Sequence, residues 1–161
     1  MLIVIDGFAG SGKTSLAGRM ADSIGNCLVV HLDDLYAGWD GLFDATLTTR
    51  VADIIRQWRT NSPGISYEVF DWSIGEFKAA QTFHNMPHLI IEGVGASVLT
   101  QAVGPDIVVW CDSDPVNALR RVIARDGAAV ATHMKAWQDD EQRFFANKNP
   151  RWDTRVRLIG D

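Results

Sequence analysis

Residues 7–14 read Gly-Phe-Ala-Gly-Ser-Gly-Lys-Thr, close behind the apolar run at 1–5. Three glycines in so short a span weaken a strand or a helix, so the segment is a loop that serves something other than regular structure. Its spacing is G-x-x-x-x-G-K-[ST], between an apolar run and a helix-period segment. A polyphosphate is held by backbone N–H groups that point into a concavity, and side chains there would block its approach. Gly7, Gly10 and Gly12 keep such a loop open and permit positive φ. Lys13 is placed to reach the β- and γ-phosphates, and Thr14 to offer a hydroxyl to Mg²⁺. With Ala9, Ser11 and Ser15 these residues form the candidate nucleotide site, and the implied ligands are ATP and Mg²⁺.

A second cluster is His31-Leu-Asp-Asp-Leu-Tyr36, at the end of another apolar run. In an open α/β sheet, ligand chemistry gathers beyond the carboxyl ends of strands, which brings Asp33 and Asp34 beside the loop. A carboxylate there can accept the proton of an acceptor hydroxyl during γ-phosphoryl transfer. Neighbours in extended chain face opposite sides, so the residues alone leave open which of the two is the base. Arg121 and Arg125, four apart, share one face of a segment that opens with the cap Asp114-Pro115. Two arginines on one edge can clamp phosphates as charge develops. Glu141 falls on the stripe of Met134, Trp137 and Phe144; it either pairs with an arginine of the preceding helix or reaches solvent at a rim. The GTP-reading pattern is absent: Asn147-Lys-Asn-Pro150 ends in Pro, and Asp22-Ser-Ile-Gly25 lies on a helix.

The elements that must position these groups follow from periodicity. Residues 2–5, 28–30, 88–91 and 107–110 are short, near-continuous apolar runs rich in β-branched residues, the composition of strands covered on both faces. Helix-period segments lie at about 13–24, 45–60, 96–102, 115–126 and 132–148. Extended stretches at 65–70 and 155–159 complete a β–α alternation, which argues for an open, mainly parallel α/β sheet with helices on both faces. No repeat or low-complexity tract interrupts it, and the 161 residues are expected to form a single domain.

Hydrophobic residues make up 47% and charged residues 22%, with a net charge of −5. That balance is ordinary for a globular chain and speaks against a broad surface for nucleic acid. Cys27 and Cys111 are far apart in apolar stretches, with neither metal nor disulfide spacing. No run reaches the roughly 18 apolar residues of a membrane span, and no basic stretch precedes the first apolar run as in a signal peptide. The expectation is a cytoplasmic protein with no membrane partner.

Taken together these motifs resemble the uridine kinase-like branch of P-loop kinases, with pantothenate kinase, phosphoribulokinase and nicotinamide riboside kinase as relatives. Asp33-Asp-Leu-Tyr36 is similar to the family's D-[SD]-[FL]-Y motif, Ile90-Ile-Glu-Gly-Val94 to its strand-borne E-G, and Arg120 to Asp126 to its R-R-x-x-R-D lid run with one extra residue. The resemblance covers about residues 1–126. It implies a three-layer α/β/α P-loop NTPase fold with a short helical lid at about 115–135. It also selects Asp33 as the base near Mg²⁺, makes Glu92 the acidic partner of Mg²⁺ and sets Tyr36 beside the acceptor.

The acceptor side is read from aromatic residues. Six tryptophans are many for this length. Trp39 and Trp72 fall in loops near the expected mouth, where aromatic faces stack on planar rings and a carboxylate, Asp40 or Asp71, can grip ribose hydroxyls. The reading is an ATP-dependent kinase acting on a hydroxyl of a small metabolite, a nucleoside first. The alternatives are a nucleoside-monophosphate or sugar-acid kinase, for which Arg50, Arg56 and Arg59 would supply anion contacts, and a non-catalytic ATP-binding switch.

Overall fold

The computed structural model describes residues 1–60 and 62–157. The chain runs β1 (Leu2–Asp6), α1 (Lys13–Ile24), β2 (Cys27–His31), α2 (Ala45–Arg59), β3 (Gly64–Tyr67), β4 (Phe70–Asp71), β5 (Glu76–Phe77), β6 (Gln81–His84), β7 (His88–Glu92), α3 (Ala96–Leu99), β8 (Ile107–Asp112), α4 (Pro115–Asp126), α5 (Ala131–Lys148) and β9 (Thr154–Arg157), with short 3₁₀ turns between. Of the last expected strand, Leu158 and Ile159 lie outside the described residues.

Five strands form one sheet in the order β2-β7-β1-β8-β9, and every neighbouring pair is parallel. Alternation of side chains splits β1 between two cores. Ile3 and Ile5 join Ile90, Val109 and the α1 residues Leu16, Met20 and Ile24 on one face. Leu2 and Val4 join Leu89, Ile91, Trp110, the α2 residues Leu47, Val51, Ile54 and Ile55, and the α5 residues Met134, Trp137, Phe144 and Phe145 on the other. Burial on both faces is why these strands read as unbroken apolar runs. The result is the expected three-layer α/β/α arrangement.

One expectation is corrected. The stretch at 65–70 does not continue the main sheet. β3 pairs antiparallel with β6, and β4 antiparallel with β5, as two separate two-stranded ribbons. No crossover helix lies between these strands: a short turn joins β4 to β5, and that ribbon is itself the connection between β3 and β6, so both pairs run antiparallel.

Local signals fix the helix starts. Asp44 accepts from the Thr46 N–H to begin α2, and Asp114 accepts from the Val116 and Asn117 N–H groups to begin α4, with Pro115 following it. α1 differs: it starts from Gly12 at φ 92° with no side-chain cap. Its first N–H groups are left facing the loop, as an anion site requires.

Candidate active site

The loop at 7–12 is wedged between β1, β8 and α4. Gly7, Gly10 and Gly12 all have positive φ. A Cβ on Gly7 would stand 2.3 Å from the Cys111 carbonyl oxygen, and one on Gly10 2.3 Å from that of Ala118. Two of the glycines are therefore required by close backbone packing as well as by conformation. Ser11 is buried beneath the loop, and Lys13 folds back so that Nζ donates to the Phe8 carbonyl at 2.9 Å. Ala9, Gly10, Gly12, Lys13, Thr14 and Ser15 line one side of a cleft of about 580 Å³.

Asp6, which the sequence reading passed over, anchors the start of the loop. It is fully buried, and its Oδ1 accepts from the Gly7 N–H at 2.7 Å and the Gly95 N–H at 2.9 Å. Its Oδ2 accepts from the Ser97 N–H at 2.9 Å and the Ser97 hydroxyl at 2.5 Å. Desolvation raises its carboxyl above the ordinary range, against the pull of the Ser97 and Gly7 donors and of Lys13. The visible signal was a charged residue closing an otherwise apolar strand.

At the carboxyl edge of the sheet, Glu92 sits in register with Ile5 on one side and His31 on the other. Its Oε1 accepts from the Thr14 hydroxyl at 3.0 Å and lies 2.6 Å from His31 Nδ1. Burial opposes its charge, but the His31 hydrogen bond, Lys13 and Thr14 outweigh burial and hold the carboxyl below its usual range. The same contact raises His31, which Asp34 and Asp33 also favour in its charged form. His31 carried no role in the sequence reading, because its contact with Glu92 exists only through pairing of β2 with β7.

Asp33 and Asp34 lie on the turn after β2 and both line the cleft. Asp33 is exposed to solvent at the open cleft. Crowding within the cleft desolvates its carboxyl and raises it, with Glu92 adding to the shift and Lys13 and Arg125 opposing it. The donor set fits Mg²⁺, a hard cation that takes one or two carboxylates and completes its shell with phosphate and water oxygens. Thr14, Glu92 and Asp33 supply such oxygens. Among the described residues no group of three or more His, Cys, Asp or Glu could hold a metal unaided.

The two arginines of α4 behave differently. Arg121 Nε donates to the Gly10 carbonyl at 2.8 Å and Nη2 to the Ser113 hydroxyl at 2.5 Å, so it ties helix to loop. Arg125 is more exposed and makes a two-pronged contact with Asp126 at 2.6 Å on each prong. Both line the cleft. Glu141 meets neither arginine. It is wholly buried, and Oε1 accepts from the Ala9 N–H at 2.8 Å and from the Trp137 indole at 2.7 Å.

The far wall of the cleft is aromatic. Trp39 packs edge-on to Trp72 and Trp137 with ring centroids 5.2 and 6.1 Å apart, and stacks on His133 at 5.1 Å. The Trp72 indole donates to the Asp33 carbonyl at 2.9 Å, which draws the β4–β5 ribbon against the acidic turn. Trp137, from the α5 stripe of Met134 and Phe144, also lines the cleft. Of the other two expected acceptor residues, Tyr36 lines the cleft and Asp71 does not. Tyr36 contributes its ring to the wall, but its hydroxyl is buried and donates to the Val94 carbonyl at 2.8 Å. Asp71 closes the β4–β5 turn, accepting from Ser73 and pairing with Lys78 at 2.5 Å. Arg50, Arg56 and Arg59 are likewise absent from the lining. They bond Asp44, Asp53 and the Val103 carbonyl.

No protein-family model matches the chain, and no curated protein matches it. Solved structures do. A possible uridine kinase from Bacillus stearothermophilus aligns over 97% of this chain and 88% of its own, with TM-score 0.66 and 20% identity. A protein named as a fructose transport system kinase, from Silicibacter sp. TM1040, aligns over 97% and 89%, with TM-score 0.65 and 17% identity. Shikimate kinase from Acinetobacter baumannii, bound to shikimate, aligns over 99% and 84%, with TM-score 0.56 and 12% identity. Among the described residues no helix is long and apolar enough to cross a membrane. With its glycine-rich loop after the central strand β1 and its carboxylates at the ends of β7 and β2, both on one side of it, the chain has the fold of the P-loop kinases.

Proposed function

We propose that the protein is an ATP-dependent phosphotransferase that moves the γ-phosphoryl group to a hydroxyl of a small, ring-bearing metabolite, a nucleoside being the class that fits best. One observation carries the reading: the phosphate loop, the acidic turn with Asp33, and an aromatic wall face one another across a single cleft. A passive nucleotide switch has no need of the third component.

The roles follow from the positions. The loop N–H groups and Lys13 orient the triphosphate, and Lys13 exchanges its contact with the Phe8 carbonyl for phosphate oxygens. Thr14 and Glu92 would hold Mg²⁺ with Asp33 close by, and the bound ion would supply positive charge against that building on the phosphates. His31 keeps Glu92 ionised and oriented. Asp33 takes the proton of the acceptor hydroxyl, and its raised carboxyl makes it the stronger base. Arg125 turns from Asp126 toward the transferring group, while Arg121 holds α4 to the loop. Trp39, Trp72 and Trp137 stack on the acceptor's ring.

The cleft favours an acceptor without phosphate or carboxylate, since its cations belong to the loop and α4 and none comes from α2. Asp33→Asn tests the assignment. Transfer is expected to fall by about 10²–10⁴-fold, the usual contribution of a positioned base, while binding of a non-hydrolysable ATP analogue persists. Near-normal turnover in that variant would remove Asp33 from the role.

A further inference from the structure

A buried carboxylate is costly, and Glu141 is buried in an apolar stripe of α5 where nothing in the proposed chemistry calls for one. Its two oxygens are unequal. Oε1 accepts two N–H groups, that of Ala9 in the phosphate loop and that of the Trp137 indole in the aromatic wall. Oε2 is closed to solvent and meets no donor among the described residues. Trp137 in turn packs against Tyr36 and Trp39, with ring centroids 5.2 and 6.1 Å apart. One oxygen atom thus joins the two halves of the cleft.

We propose that Glu141 is a positioning residue that couples the phosphate loop to the acceptor wall through Oε1, and that it does so as a neutral carboxylic acid with its proton on Oε2. The proposal rests on the phosphotransferase reading above. A carboxyl group that accepts at one oxygen and is dry at the other matches the acid form, since the charged form would leave half its charge unsolvated. Three groups face it with charge or titratable protons. Lys13, on the loop side, favours the anion; Asp6, at the end of β1, and Tyr36, on the turn after β2, are disfavoured in their charged forms by Glu141 or disfavour its own. Burial dominates, and the Glu141 carboxyl is pushed up to about 7. A triphosphate arriving at Ala9 adds negative charge at the loop and strengthens the preference for the acid.

Nucleotide binding should therefore draw a proton from solution. The probe is the ATP analogue AMP-PNP with Mg²⁺, titrated calorimetrically at pH 8 in buffers of different ionisation enthalpy. Wild-type protein is expected to take up about half a proton or more beyond that taken up by Glu141→Gln. Gln keeps an oxygen for both N–H donors, so E141Q should bind within about threefold of wild type at pH 6.5 and weaken less steeply as pH rises. Glu141→Leu strands the Ala9 N–H and should weaken binding about tenfold or more. A protonated-carboxyl band in the infrared difference spectrum, present with AMP-PNP and lost in E141Q, gives a readout independent of folding of the Leu variant. Equal proton counts in wild type and E141Q, or no such band, overturns the proposal. Absence of any AMP-PNP binding by wild type overturns the nucleotide reading as well, and is a distinct result.

Discussion

Gly10→Ala tests the joint between the phosphate loop and α4. Gly10 has φ +75°, and an added Cβ would stand 2.3 Å from the Ala118 oxygen, 2.8 Å from its carbonyl carbon and 3.0 Å from Val122 Cγ2. The first two are backbone atoms that no rotamer change can clear, so helix and loop must separate by roughly 1 Å to restore an ordinary contact. Left-handed backbone costs an alanine about 1–2 kcal/mol, and overpacking of this kind adds about 1–3 kcal/mol. Gly104→Ala is the control, left-handed at φ +63° with nothing within 4 Å of its Cβ position. Urea unfolding of both variants should place Gly10→Ala about 1–3 kcal/mol below Gly104→Ala. Because Arg121 Nε holds the Gly10 carbonyl at 2.8 Å, the same displacement should weaken nucleotide binding. A difference under about 0.5 kcal/mol, with nucleotide affinity intact, would refute the claim that α4 is seated on the loop.

The remaining predictions concern the cleft walls. His31 is raised and Glu92 lowered by their contact, so the sign is fixed for each. The His31 share of stability is full below its unfolded value of 6.5 and is lost as pH rises through the raised folded value; the Glu92 share is present above 4.5 and is lost as pH falls through the lowered one. An NMR titration should find the His31 ring above 6.5 in wild type and lower in Glu92→Gln, and no change between the two would remove the pair from the account. Tyr36→Phe deletes a buried hydrogen bond to the Val94 carbonyl and should cost about 1–2 kcal/mol in denaturant unfolding. The KM for the acceptor should stay within about twofold, since that hydroxyl faces away from the cleft. A rise in KM with unchanged stability would put the hydroxyl back at the substrate.

Much of this was legible in the residues. Buried parallel strands and amphipathic helices each leave a period in the sequence, so β1, β2, β7, β8 and all five α-helices appear near their expected limits. The loop was legible because its glycines and Lys13 act locally. Contacts made by folding were not. Asp6 finds Gly95 and Ser97 some ninety positions away, and His31 meets Glu92 only because β2 lies beside β7. Glu141 was recognisable as a carboxylate that needed partners, but its distance from Ala9 in sequence hid which ones. Asp71 misled because an Asp before a turn residue looks alike whether it holds a ligand or closes a ribbon.

Phosphoryl transfer itself is the most direct test. Purified protein with Mg²⁺ and ATP, incubated with a panel of nucleosides and followed by ³¹P NMR, should give ADP together with a new phosphomonoester signal for at least one compound. Lys13→Ala should give neither. ATP that binds tightly yet yields no phosphomonoester with any nucleoside, or releases only inorganic phosphate, would contradict the account.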